Sequence, residues 1–165
     1  MSMIGELKIR LSVEADMEYW KRWVADPEVL RWFPLTTEDE IDRAARYVFS
    51  FRSRNAVLTA ECQDQPCAVA GRVLPEFRKI MHQAEFSIIV AESHRRVGVG
   101  SILLKKLLES GKVLHGLRLA LLKVFEGNPA RSFYKKMGFT EFGFQPLYCN
   151  MEGKFLGRYL MFKVL

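Results

Sequence analysis

The sequence predicts a single-domain α/β protein, a mixed sheet layer built around a strand–helix–strand–helix centre. Three observations lead there. Hydrophobic periodicity changes along the chain in the order β-α-α-β-β-β-α-β-α-β-β. The 165 residues are 49% hydrophobic and 27% charged, the makeup of a chain that buries a core instead of staying disordered. No repeat, low-complexity tract or linker divides the chain, so 1–165 reads as one domain.

Taken in order, Leu7 to Leu11 alternates apolar and polar residues and reads as a strand. Asp16 opens a helical stretch with Met17, Trp20, Trp23 and Val24 at helical spacing, and Asp26-Pro27 ends it. A second helix starts at Thr37, with Glu40 three residues on as a capping box and Ile41, Ala44, Ala45 and Val48 as its inward face. Ala56 to Glu61 and Ala68 to Leu74 read as strands flanking the turn Gln63-Asp64-Gln65-Pro66. Ala84 to Val90 is a third strand. Gly98 to Lys112 follows as a helix with Val99, Ile102, Leu103, Leu104, Leu107 and Leu108 over a broad apolar face. Leu117 to Phe125 is apolar enough for a central strand. A short helix then has Asn128 as N-cap, Pro129 in its first turn and Gly138 past its end. Thr140 to Cys149 and Arg158 to Val164 close the chain as strands around Glu152-Gly153.

Composition narrows the function. No apolar run approaches a membrane span and Met1 to Arg10 lacks a signal-peptide core, which makes the cytoplasm the expected compartment, with no membrane partner. Cys62, Cys67 and Cys149 follow no disulfide framework, and no second Cys or His pair completes a zinc site; the expectation is no metal. The net charge of +6 is spread over scattered basic residues without a stripe interleaved with aromatics, so nucleic acid is not the expected partner. A phosphate-rich small molecule accounts for the same charge.

The stretch Ile88-Ile89-Val90-Ala91-Glu92-Ser93-His94-Arg95-Arg96-Val97-Gly98-Val99-Gly100 carries the most information. A strand runs into a glycine-containing turn that becomes a helix start. Amides there have no intrahelical acceptor and sit at the positive end of the helix dipole. Gly98 and Gly100 remove the Cβ atoms that would hold a diphosphate away, and Arg95 and Arg96 supply charge-assisted contacts. A dinucleotide fingerprint is excluded because position 103 is Leu, and a Walker A loop because Gly100 is followed by Ser101-Ile102.

With its surroundings this turn resembles the acyl-CoA-binding segment of the GNAT acetyltransferase superfamily. The family pattern Arg/Gln-x-x-Gly-x-Gly/Ala is matched by Arg95, Gly98 and Gly100, and its later Asn, Tyr and Gly-Phe by Asn128, Tyr134 and Gly138-Phe139. The resemblance covers nearly the whole chain and is strongest from Glu85 to Phe139. Asp26-Pro27-Glu28-Val29 and Gly153-Lys154-Phe155…Met161 also look like the subgroup that acetylates N-termini of ribosomal proteins.

The resemblance implies a mostly antiparallel mixed sheet with a splayed central strand pair and helices on both faces. It implies acetyl-CoA as cosubstrate, held by the backbone of Ile88, Ile89 and Val90, by Arg95, Arg96, Val97, Gly98, Val99, Gly100 and Ser101, and by Asn128 and Tyr134. Tyr134 would be the general acid for the departing thiolate, a role that competes with packing beside Phe133 and Phe139. A backbone N–H near Ile89–Val90 would polarise the thioester carbonyl. Glu85 is the implied base, against the reading of an ordinary exposed strand carboxylate; His82 and His94 are near enough in sequence to relay a proton. The expected acceptor is a primary amine, a peptide or protein N-terminus, with a polyamine or antibiotic as the alternative. Helices and loops over Trp20–Asn55 and Tyr148–Phe155 would form its pocket, with Trp32, Phe33, Arg46, Phe51, Arg52 and Tyr148. A CoA-binding module without catalysis is the non-enzymatic reading. Monomer and homodimer are equally compatible.

Overall fold

A computed structural model describes residues 6–165; Met1 to Gly5, part of the stretch read for a leader, lie outside the described residues. Seven strands form one sheet in the order β1-β2-β3-β4-β5-β7-β6. They are β1 Leu7–Leu11, β2 Val57–Cys62, β3 Gln65–Val73, β4 Gln83–Val90, β5 Leu119–Phe125, β6 Thr140–Met151 and β7 Lys154–Val164. All neighbours run antiparallel except β4 and β5. Five helices flank it: α1 Asp16–Val24, α2 Pro27–Leu30, α3 Glu38–Ser50, α4 Val99–His115 and α5 Ala130–Lys136.

The helices divide between two faces. Trp20, Val24, Val29, Ile41, Ala45 and Phe49 of α1–α3 pack on Val57, Val69 and Ile89 of β2–β4. Leu103, Leu104 and Leu107 of α4, all fully buried, join Tyr134 and Met137 against the even-numbered residues of β4 and β5 on the other face. Each such leucine contributes roughly 1.5–3 kcal/mol by leaving water. The predicted apolar face of α4 is narrower than expected. Ile102 is 45% exposed, because five residues at 100° each put it well around the helix from Leu107.

Local signals set the element ends. Thr37 accepts from the Glu40 amide, and Glu40 returns the bond to the Thr37 amide, so the predicted capping box caps α3. The β2–β3 turn is shorter than predicted. Gln63 and Asp64 both have left-handed φ (52° and 59°), a two-residue turn, and Gln65-Pro66 already belong to β3. Proline cannot donate to the ladder, and the register slips beside it: Glu61 pairs with Pro66 while Ala60 pairs with Ala68, leaving Cys67 as the extra residue. At the other end, Glu152-Gly153 forms the predicted turn, but β6 and β7 run longer than their hydrophobic patterns suggest.

Two buried polar networks tie the layers together. Asp16 does not cap α1; its carboxylate takes a bidentate pair of bonds from Arg10 (2.7 and 2.9 Å) and further bonds from the Val13 amide and the Thr59 hydroxyl. Arg72, 1% exposed, donates to the carbonyls of Leu107 and Asn55 and to Ser110, joining β3 to the end of α4.

Candidate active site

The site begins where β4 leaves β5. Their parallel pairing lasts from Gln83↔Leu119 to Glu85↔Leu121, whereas β4 stays paired to β3 as far as Val90↔Ala68. Phe86 to Val90 therefore present one strand edge without a neighbour, and a cleft of about 690 Å³ opens beside it. Ile88, Ile89 and Val90 line one wall, and Asn128, Pro129, Ala130, Phe133 and Tyr134 line the other. Glu28, Val29, Trp32 and Phe33 bound it on the α2 side.

The turn at its end is built for an anion. Arg96 (φ 61°) and Gly98 (φ 97°) are left-handed, a backbone shape that gathers successive amides into a concavity. The Ile102 amide bonds to the Gly98 carbonyl (3.1 Å), so the amides of Val99, Gly100 and Ser101 lie in the first turn of α4, where helix geometry supplies no acceptor. Gly100 differs from Gly98: a Cβ there would lie 3.4 Å from Val90 and 3.7 Å from Phe133, ordinary contacts with side chains of the two walls.

The predicted residues divide. Ile88, Ile89, Val90, Arg95, Arg96, Gly98, Gly100, Ser101, Asn128 and Tyr134 all line the cleft. Val97 and Val99 are on the turn but do not line it: Val99 is 1% exposed and Val97 packs on the same core, so only their backbone faces an anion. Arg95 does more than meet a ligand. Its Nε donates to the Val90 carbonyl (3.0 Å), tying the turn to the strand end. Asn128 stands one residue before the N-cap of α5, which is Pro129, and the predicted capping bond forms from there, its Oδ1 accepting from the Ala130 amide at 2.9 Å.

Tyr134 is held by Phe133 and Phe139, at ring separations of 5.2 and 5.9 Å, so packing and cleft position coincide. Burial pushes its phenol up to about 12, above the ordinary value near 10 that a match to a thiolate assumes. The group stays protonated at neutral pH and remains a donor.

Glu85 does not come to the cleft. Alternation sends it to the face opposite Phe86 and Ile88, where Lys123 of β5 bonds its carboxylate at 2.7 Å, at the point where the strands part. The carboxylate that does line the cleft is Glu28, which sequence reasoning treated only as part of a subgroup mark. It sits on a four-residue helix that begins at Pro27 and is capped by Asp26, where its carboxylate also lies 3.5 Å from Arg31, and a helix this short leaves no periodicity to read. His94 lines the cleft and His82 does not. Of the expected acceptor pocket, Trp32 and Phe33 are in place. Arg46 pairs with Asp42, Arg52 with Glu14, Phe51 stacks on Tyr47, and Tyr148 packs on Phe125 beneath Arg158. None of these four lines the cleft.

One assembly was missed. Cys62, Cys67 and His94 bring their ligand atoms within 4.8 Å of one another, a His that the sequence placed in the turn and not beside the thiols.

Residues 53–141 match the family model described as acetyltransferase (GNAT) domain. The chain belongs to this family. It is 39% identical over 71 residues to N-alpha-acetyltransferase 60 of Drosophila melanogaster, a match taking in 41% of this chain and 26% of that protein. The chain thus spans about a quarter of the length of that curated relative. The fold is that of a ribosomal-protein-alanine N-acetyltransferase from Brucella melitensis (TM-score 0.80, 24% identity, 96% of this chain and 99% of that one). It is equally that of a spermidine N-acetyltransferase from Vibrio cholerae solved with CoA and spermine (TM-score 0.76, 21% identity, 96% and 95%). The expected mostly antiparallel sheet with a splayed strand pair is the one observed. Among the described residues no helix is long and apolar enough to cross a membrane.

Proposed function

We propose that this chain, acting as one acyl-CoA N-acyltransferase domain, moves the acetyl group of acetyl-CoA to the free amine of a peptide or protein N-terminus. The observation that carries the cosubstrate is the splay itself: a bare strand edge leads straight to a left-handed, amide-rich helix start. An extended amide-bearing arm pairs with the first as an added strand would, and a diphosphate accepts from the second.

Charge favours the acceptor class. Among the described residues Glu28 is the one carboxylate lining the cleft, whose lining also includes Arg95 and Arg96. A polyamine carries several positive charges and calls for several carboxylates, whereas an N-terminus carries one and matches a single Glu with the aromatic wall of Trp32 and Phe33.

In the reaction the neutral amine attacks the thioester carbon; a C–N bond forms and the C–S bond breaks. Amides at the Ile89–Val90 edge stabilise the oxyanion. Tyr134 gives its proton to the departing thiolate and regains one from solvent. The amine's proton leaves through Glu28, directly or by water, with Glu85 outside the cleft lining and bonded to Lys123. An α-amine of pKa about 7.7–8.0 makes small demands on that base.

The test compares acetylation of an N-terminal peptide and of spermidine by wild type, Glu28→Gln and Glu85→Gln across pH. The expected result is preference for the peptide, with Glu28→Gln losing most turnover at low pH and Glu85→Gln near wild type. Preference for spermidine overturns the acceptor class. A Glu85→Gln profile more depressed than that of Glu28→Gln returns the base to β4.

A further inference from the structure

We infer that Cys62, Cys67 and His94 form a binding site for one thiophilic divalent metal ion of the zinc type, set behind the turn that leads into α4. The Sγ atoms of Cys62 and Cys67 lie 3.0 Å apart, and all three ligand atoms fall within 4.8 Å of each other. Around tetrahedral zinc, with Zn–S about 2.3 Å and Zn–N about 2.0–2.1 Å, the ligand atoms are separated by about 3.5–3.8 Å. The spacings of 3.0 Å between the sulfurs and up to 4.8 Å across the trio bracket that triangle.

Three separate parts of the chain build the donor set. Cys62 ends β2, and the register slip at Pro66 sets Cys67 against it. His94 arrives from the turn after β4, which is held to the same place by the Ala91 amide bonding to the Cys67 carbonyl (2.9 Å). The Ser93 hydroxyl lies 2.8 Å from His94 Nδ1, the kind of partner that orients a ligating imidazole. Both thiols are buried and His94 is half-exposed along the cleft, so the ion has a route in and a fourth position for water.

Binding replaces two S–H bonds by two metal–sulfur bonds and releases two protons to solvent for each ion. No oxidant is needed. A bound ion holds both sulfurs by direct coordination. It also joins β2, β3 and His94, the residue next to Arg95, and so braces the anion-binding turn; this last point rests on the function proposed above, while the site itself does not.

The probe is Co²⁺ titrated into fully reduced protein without acetyl-CoA, followed by visible absorption. One equivalent should give the intense d–d bands of tetrahedral cobalt and a near-ultraviolet thiolate band, both bleached by one equivalent of Zn²⁺. Cys62→Ser and Cys67→Ser should each abolish the tetrahedral spectrum, and His94→Gln should weaken binding more than tenfold, since even partners that merely orient ligands are worth about 10–100-fold. Cys149→Ser should bind as wild type. Circular dichroism of each variant checks its fold, and protection of wild-type thiols from alkylation by Zn²⁺ gives a reading without substitution. Absence of the cobalt bands and of alkylation protection overturns the site, as does an unchanged spectrum in folded Cys62→Ser. A mass loss of two hydrogens in metal-free protein that shows no cobalt bands would make the pair a disulfide instead.

Discussion

Gly98 and Gly100 are two glycines of one motif held for different reasons, and alanine at each separates them. Gly98 has φ 97° and ψ −10°, a conformation that L side chains rarely adopt. Holding alanine there costs about 1–3 kcal/mol. For a chain of 165 residues each kcal/mol lowers Tm by about 2–4 °C, so Gly98→Ala should melt about 2–12 °C below wild type. The alternative is for the turn to rotate away, which takes the Val99–Ser101 amides out of line. Losing one hydrogen bond to a charged phosphate is worth about 1.5–3 kcal/mol, or roughly 10–150-fold in acetyl-CoA affinity. Gly100 sits inside α4 with helical dihedrals, where alanine is favoured by about 0.8–1 kcal/mol. Its new methyl meets Val90 at 3.4 Å and Phe133 at 3.7 Å, ordinary contacts, so Gly100→Ala should melt within a few degrees of wild type. Scanning fluorimetry with and without acetyl-CoA, and calorimetric titration, read both quantities. The reasoning is refuted if Gly98→Ala melts and binds like wild type, or if Gly100→Ala is the more damaging of the two.

Tyr134→Phe should lower kcat by about 10²–10⁴ while leaving acetyl-CoA affinity unchanged, as a lost general acid does. With the phenol raised to about 12, wild-type kcat should show no alkaline fall from this group below about pH 10; a fall near pH 8 would identify a different acid. Asp16→Ala should destabilise by about 1–3 kcal/mol, because it removes the acceptor of two Arg10 bonds, leaving Arg10 to Glu61, and one partner of Thr59, leaving it to Ser12; urea unfolding measures it, and a loss under 1 kcal/mol would demote the network. Burial alone would raise the Asp16 carboxyl, but bonds from Arg10, the Val13 amide and Thr59 outweigh it and hold the group below the usual carboxylate range. Its contribution is thus complete above about pH 4, the unfolded value, and is lost as pH falls through the lower folded one. The gap between wild-type and Asp16→Ala stability should therefore narrow as pH falls below about 4, and a gap that does not narrow at all in acid would contradict the assignment.

Much of this molecule was legible along the chain. The Thr37–Glu40 capping box, the Asn128 capping bond, the Glu152-Gly153 turn and the glycine turn after β4 are written in residues a few positions apart, and their hydrogen bonds and dihedrals close over the same short distance. Paired with the motif around Tyr134, they were enough to indicate the family and the sheet with its splay. What the sequence could not decide depends on strand register and on layers meeting. The chain alone named Glu85 as a candidate base but could not show that β5 would set Lys123 beside it and leave it out of the cleft lining. Glu28 looked like part of a family mark until a one-turn helix placed it in the cleft lining. Arg72 gives no local sign that it will be fully buried on backbone carbonyls. Cys62, Cys67 and His94 converge only because Pro66 shifts a ladder by one residue and β4 returns the chain to its end. Local chemistry determines which elements form and where an anion can sit, since those energies involve near neighbours in sequence. Which charges become paired, and which thiols meet a histidine, is settled by contacts across many tens of residues, and only the folded sheet makes them.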